Sequence, residues 1–400
     1  MRAFRLPGPG PGLGHGPGLG HGPGLGHGPG LGPGLGHGPG PGPGPGHGPG
    51  PGPGLDPGLG LAPGFAEVDR PAPRGGEVLV RVTAAGLCHS DLHVIDAGGM
   101  GFPTPFTLGH EVAGRVAELG PDATGVAPGD PVAVYGPWGC GRCPRCLAGR
   151  DNYCDRRGEL TWAGLGLGRD GGMADYVLVP SAAYLVPIGD LDPAQAAPLT
   201  DAGLTPYHAI QRCRAALVEG STVAVIGIGG LGHLAVQLLR ALTPSQVIAV
   251  DVREEALALA ARCGAHLSLP AAADTHRRVR TAGGGAGADV VLDFAGTDAT
   301  LELAARSLRA DGDLVIVGSG GGQLAVRKPG ALPAGARVSL PFWGTRDELT
   351  EVVALARSGA LRVEVERFPL AAAPEAIARL RAGTLPGRAV LVPDGADQRA

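Results

Sequence analysis

Thr222-Val-Ala-Val-Ile226 runs directly into Gly227-Ile-Gly-Gly-Leu-Gly232, an apolar segment feeding a glycine cluster. Such a continuous apolar run fits a strand buried on both faces of a parallel sheet. Leu234 to Leu242 then has the apolar spacing of a helix. Strand, glycine turn and helix in that order make a phosphate cradle. One glycine allows the tight turn, one lets backbone approach a pyrophosphate, and one lets helix pack on strand. The helix N-terminus offers unpaired N–H groups and the positive end of its dipole. Gln246-Val-Ile-Ala-Val250 is the next apolar run and ends in Asp251, 19 residues after Gly232. A carboxylate there accepts hydrogen bonds from ribose hydroxyls and repels a 2′-phosphate. The pattern therefore predicts NAD, in preference to NADP, on Gly227, Gly229, Gly230, Leu231, Gly232 and Asp251. Arg253 lies close enough to weaken that preference, and the competing reading of Asp251 is a surface acid capping a helix.

Outward from this unit, strands and helices keep alternating. Glu254 to Arg262 and Thr300 to Leu308 read as helices, and 288–294, 312–317 and 337–342 as strands. The expectation is a doubly wound parallel sheet. Beyond it, Arg346 to Leu361 reads as a helix, Arg362 to Phe368 as a strand, Pro374 to Arg381 as a helix and Gly387 to Val392 as a strand. Upstream, residues 111–135 alternate apolar and polar with a Pro-Gly-Asp turn at 128–130, which reads as antiparallel β structure. Four hundred residues suit two or three domains.

The N-terminal segment departs from this grammar. Met1 to Leu6 reads as a strand, and then every even position from Gly8 to Gly54 is glycine, 24 in all, with Pro, Leu and His between. Collagen needs glycine at every third position, so a period of two is not a triple helix. Ordering so many glycines is entropically costly and little is there to bury, so a disordered loop is expected. Strand character resumes at Phe65-Ala-Glu-Val-Asp69 and again at Glu77 to Val82, so residues 7–64 read as an insertion within a hairpin. Loop closure cost grows only logarithmically with length. His15, His21, His27, His37 and His47 lie in the repeat. They read first as letters of a low-complexity expansion, and second as a weak metal-collecting tract.

The net charge is −4 with no run of like charge, which argues against nucleic acid or membrane-surface partners. No apolar run is long enough to span a bilayer, and the N-terminus lacks a secretory layout. Of seven cysteines, Cys140, Cys143 and Cys146 stand at two-residue gaps and Cys154 follows after seven residues. That spacing wraps one tetrahedral ion and predicts a structural zinc, with the reducing cytoplasm as compartment. Cys213 and Cys263 read as small core residues. Cys88-His-Ser-Asp-Leu-His93, placed on the turn after an apolar strand, and Gly109-His-Glu111 gather a thiol, imidazoles and carboxylates. Cys88 and His110 are two candidate zinc ligands, leaving a third to come from elsewhere.

These pieces resemble the zinc-dependent medium-chain alcohol dehydrogenases, most closely bacterial members that accept secondary alcohols. The carrying residues are Gly86-Leu-Cys-His-Ser-Asp91, Gly109-His-Glu111, the cysteines at 140–154, Gly227–Gly232 and Ala197-Pro-Leu-Thr-Asp-Ala-Gly-Leu-Thr-Pro-Tyr-His208. The resemblance implies an α/β protein with a GroES-like β-rich catalytic domain over residues 1–200, a Rossmann domain over 201–340, and a return to the catalytic domain over 341–400. It implies two zinc ions per chain and NAD. Cys88 and His110 would bind the catalytic zinc, and the family's third ligand falls at Asp201 where cysteine is usual, with Glu111 as its rival. Asp91 would orient the ligand imidazole. Ser90 and His93 would relay the hydroxyl proton. His89 and Arg388 would meet the pyrophosphate, and Phe102 and Trp343 would line an apolar cleft. The implied reaction passes hydride between a secondary or primary alcohol and NAD, in a homodimer or homotetramer. A zinc-binding structural or storage protein on an inactive scaffold is the alternative reading, and a zinc-free quinone reductase of the same fold a third.

Overall fold

The segment Thr222–Ile226 is a strand with all five residues buried, at the centre of a six-stranded sheet. The spatial order is Leu267–Pro270, Gln246–Asp251, Thr222–Ile226, Ala288–Asp293, Leu308–Ile316 and Arg337–Ser339, with every pairing parallel. The strand order reverses direction between Thr222–Ile226 and Ala288–Asp293. At such a switch point the helices leave to opposite faces and open a crevice at the carboxyl ends of the strands. The helices Gly232–Leu242 and Glu254–Arg262 follow the first two strands in sequence. The strand Leu267–Pro270 and helix Thr275–Ala282 escape the sequence pattern. The former has only four residues, and the latter buries Val279 as its single apolar side chain. The strand expected at 337–342 stops at Ser339, and residues 340–345 form an irregular strip.

The structure is a computed structural model describing residues 1–8 and 62–395. The strand Arg2–Leu6 pairs antiparallel with Gly64–Glu67, with Arg5 opposite Gly64. The expected loop between them, with its five histidines, lies outside the described residues. A second, larger sheet has seven strands. Its long member Val78–Leu87 pairs antiparallel with Glu111–Leu119, Tyr176–Val179 and Arg388–Val392. Arg388–Val392 also runs parallel to Val365–Pro369. The chain thus returns after residue 340 to the sheet it built first.

That register assembles the site. Gly86 stands opposite Glu111, and Leu87 opposite Ala389, so Cys88, Glu111 and Arg388 converge at one strand end. A β-carbon on Gly86 would lie 1.9 Å from Glu111 Oε2, so only glycine leaves room for that carboxylate.

Candidate active site and metal centres

Cys88 ends the strand and caps the helix His89–Asp96, so the segment expected on a turn is helical from His89 onward. The Cys88 N–H donates to Asp91 Oδ2 at 2.9 Å, which closes the first helical turn. Asp91 Oδ1 lies 3.4 Å from His110 Nδ1. Both atoms are buried without a hydrogen-bond partner as placed. Asp91 thereby faces one ring nitrogen of His110 and leaves Nε2 to point at Asp201 Oδ2, 3.7 Å away. Asp201 also lies 3.6 Å from Cys88 Sγ. It sits in a π-helical turn, Leu199–Gly203, between helices Pro193–Pro198 and Leu204–Arg212. Such a turn inserts a residue into a helix and recurs at functional sites.

Ligand atoms of Cys88, His110, Glu111 and Asp201 all lie within 4.8 Å of one another. Their other partners separate them. Glu111 takes both its carboxylate oxygens to the Arg388 guanidinium and accepts the Ala202 N–H at 3.1 Å. Asp201 accepts the Thr205 hydroxyl on Oδ1 and keeps Oδ2 toward Cys88 and His110, with Arg388 at 3.5 Å. Burial disfavours a charged His110, yet the nearby carboxylates of Asp91 and Asp201 raise its pKa well above the ordinary value. Burial likewise opposes ionisation of Asp201, but the nearby His110, the charge of Arg388 and the Thr205 hydroxyl hold its pKa low. A thiol, a carboxylate and an imidazole converging within 4.8 Å are a donor set that fits a tetrahedral zinc ion with one open position. Metal uptake there would release the protons that the set now attracts.

The cluster opens into a cavity of about 530 Å³ that runs into the crevice of the parallel sheet. Ser90, His93, Leu167, Phe342 and Trp343 line it beside the cluster, and Gly227, Gly229, Gly230, Leu231, Gly232 and Asp251 line it in the crevice. Trp343 stands edge-on to His110, ring centres 5.7 Å apart. Phe102 is not among the lining residues. It packs on Phe106 at 6.3 Å and against Gly168, so it serves the core of the β-rich part. Phe294, Phe342 and Leu167 supply cavity surface that the sequence did not single out, because their positions depend on loops between sheets.

Gly227 has a φ of 87°, and a β-carbon on Gly232 would sit 2.0 Å from the Gly227 carbonyl oxygen. The cradle is therefore closed to any larger side chain at 232, while a β-carbon on Gly229 would meet only open space where a phosphate fits. Asp251 Oδ2 accepts the Ile228 N–H at 2.7 Å, and Oδ1 accepts the Arg253 N–H at 2.9 Å. The Arg253 guanidinium bends back to Asp251 at 3.3 Å. His89, at the rim, is pushed below its ordinary pKa by burial and by the charges of Arg388, His93 and Arg253. These cations face the glycine turn and suit a pyrophosphate. Arg388 does more than expected from sequence: its guanidinium is buried between Glu111 and Gly230, so it joins the metal cluster to the cradle.

Cys140, Cys143, Cys146 and Cys154 form a second centre. Cys143 Sγ lies 3.4 Å from Cys146 Sγ and 3.9 Å from Cys154 Sγ. A disulfide needs about 2.05 Å. Four sulfurs at Zn–S distances of about 2.3 Å lie about 3.8 Å apart in a tetrahedron, which matches. Backbone N–H groups, led by that of Arg142, pull the Cys140 thiol down to about 6, toward the thiolate a metal requires.

Residues 74–190 match the family model of the alcohol dehydrogenase GroES-like domain, and residues 230–358 that of the zinc-binding dehydrogenases. An NAD-dependent alcohol dehydrogenase of Sulfurisphaera tokodaii is 37% identical over 339 residues, covering 82% of this chain and 95% of the relative. An alcohol dehydrogenase of Geobacillus stearothermophilus is 36% identical over 334 residues, with 82% and 95% covered. Among solved structures, the alcohol dehydrogenase of Aeropyrum pernix superposes with a TM-score of 0.77 at 37% identity, covering 83% of this chain and 96% of that one.

Proposed function

Since the chain belongs to the zinc-dependent medium-chain alcohol dehydrogenases, we propose that it exchanges a hydride between an alcohol carbon and NAD, with Cys88, His110 and Asp201 holding the catalytic zinc. The observation that carries this is one cavity containing both the ligand cluster and the glycine cradle. When bound, zinc supplies Lewis acidity that lowers the hydroxyl pKa, and NAD supplies the hydride acceptor.

The chain's own residues do the rest. Ser90, with Oγ 3.7 Å from Cys88 Sγ, would accept the alcohol's hydroxyl proton while releasing its own Oγ–H proton toward the cavity rim. His93 stands one helical turn further, exposed at the cavity rim, and passes that proton to solvent. Asp91 fixes the His110 ring so that Nε2 faces the metal. The Glu111–Arg388 pair lies behind the ligands and keeps Glu111 out of the coordination shell. His89 and Arg388 meet the pyrophosphate, and Asp251 the ribose. Leu167, Phe294 and Trp343 give the alcohol an apolar wall, which suits small secondary and primary alcohols. The four-cysteine centre holds a structural zinc, and all seven cysteines are free thiols, in keeping with the cytoplasm.

We place the domain boundaries near residues 200 and 340. The edge strand Arg337–Ser339 leaves Val338 and Leu340 exposed, and a dimer formed through that edge would cover them. Among the described residues no helix is long and apolar enough to cross a membrane. The storage alternative expects several weakly held metals on His15 to His47, and nothing in it requires a glycine cradle beside the ligands. The initial rate of NADH formation with 2-propanol, set beside the rate with NADP, tests the proposal. A preparation carrying both metals but inert toward every simple alcohol with either coenzyme would overturn it.

A further inference from the structure

Trp343 does not hold itself against His110. It lies in the irregular strip after the edge strand, with a φ of 51°, a region unfavourable to a bulky residue, and it is 4% exposed. The strip has no sheet partners at 342–345, and several of its backbone groups are met by side chains, some from distant parts of the chain and one from the helix that follows. Asn152 Nδ2 donates to the Phe342 carbonyl at 3.0 Å, and the Phe342 N–H points at the Tyr153 hydroxyl at 3.5 Å. Tyr135 donates its hydroxyl to the Gly344 carbonyl at 2.8 Å, and Glu348 accepts the Thr345 N–H at 2.7 Å. Asn152 and Tyr153 immediately precede Cys154 of the four-cysteine centre. Tyr153 is itself braced: its hydroxyl lies 2.9 Å from His208 Nε2, and His208 Nδ1 lies 2.8 Å from both oxygens of Glu348. His208 and Asn152 are buried, so little water competes for these bonds.

We propose that the four-cysteine lobe sets the alcohol selectivity of the catalytic cavity, because its Asn152 and Tyr153 clamp the strip that presses Trp343 against the metal ligand His110. Asn152, Tyr153, His208 and Glu348 are positioning residues in this account. The lobe metal reaches the substrate through them, by fixing where Cys154 and its two neighbours stand. The inference rests on the dehydrogenase reading above for its substrate, and on the clamp geometry alone for its mechanics.

The test compares wild type with Asn152→Ala and Tyr153→Phe, using 1-phenylethanol and ethanol with NAD, with bound metal counted in each sample. The clamp predicts that the ratio of kcat/KM between the two alcohols shifts at least about threefold, through KM for 1-phenylethanol, while two metals per chain remain. An unchanged ratio in folded variants carrying both metals overturns it. Should Asn152→Ala lose the lobe metal, Tyr153→Phe, which lacks a single hydroxyl, carries the decision. A wild type inert toward all alcohols would sink the proposed function instead. The clamp is then judged on acrylamide quenching of Trp343 emission in a Trp138→Phe/Trp162→Phe background. Asn152→Ala must raise that quenching, and equal quenching overturns the clamp.

Discussion

His233 is fully buried in the first turn of the helix after the glycine cradle, and both of its ring nitrogens are engaged. Nδ1–H donates to the Gly229 carbonyl at 2.8 Å, and Nε2 accepts the Glu364 N–H at 3.1 Å. This fixes a neutral tautomer, and a second proton would break the Glu364 bond. Burial pushes the His233 pKa down to about 4. In the unfolded chain the ordinary value is about 6.5, so between pH 4 and 6.5 the unfolded state binds more protons and stability rises with pH. The contribution is fully present above pH 6.5 and is lost as pH falls toward 4. For this group alone stability is about 2 kcal/mol lower at pH 5 than at pH 7.5. Urea unfolding at the two pH values should show a larger fall for wild type than for His233→Gln, and equal falls would contradict this assignment. Little at this scale was legible in the sequence beyond the thiol, imidazole and carboxylates that the fold brings together. Cys88, His110 and Asp201 could be named from motif and resemblance, but the proposed preference for Asp201 over Glu111 rests on Arg388, which lies 277 residues from Glu111 along the chain. Phe102 and Phe342 look alike as aromatic residues beside glycine or proline, and only the fold places one in the core and the other on the cavity.

At the scale of elements, the sequence was most informative where one pattern had one physical solution. The continuous apolar strands, the glycine cradle and the cysteine spacing each have a single structural use, and each appears as a strand, a turn or a cluster at the expected place. Patterns failed where local signals were short or mixed. The helix His89–Asp96 has four polar residues among its first five, and its apolar face, Leu92, Val94 and Ile95, is too brief to display a period. The π turn carrying Asp201 has no sequence signature, because it arises where two helices meet around a buried carboxylate. Gly232 offers the sharpest test of the cradle. An alanine there would put its β-carbon into the Gly227 carbonyl and force the turn open. Gly232→Ala should weaken NADH binding at least about tenfold in a fluorescence titration, with metal content unchanged. Unaltered affinity would mean that the coenzyme does not use this turn.

Among the described residues the two large sheets, of seven and six strands, flank the cavity, and the chain crosses from one to the other twice, between residues 187 and 222 and again after 339. Arg388 and Trp343 come from the second crossing and return, which is why no local motif announces them. The glycine-rich repeat stands apart from this plan, since it leaves and re-enters on neighbouring strands, with Arg5 opposite Gly64. A chain lacking residues 8–63 joins Pro7 to Gly64 and can close the hairpin with a short turn. Its kcat and KM should stay within about twofold of the full chain, because the flanking strands pair directly with each other, and loop closure cost grows only slowly with length. A large loss of turnover in a folded deletion variant would give the repeat a catalytic role. The central claim is that Cys88, His110 and Asp201 hold the metal that activates the alcohol. The direct test is NADH formation from 2-propanol by wild type and Asp201→Ala, with zinc counted in the same samples. The account predicts two zinc ions and turnover for wild type, and for the variant one zinc and a rate lower by at least about 100-fold. A variant that keeps both zinc ions and its rate would contradict it and would return the third ligand position to Glu111.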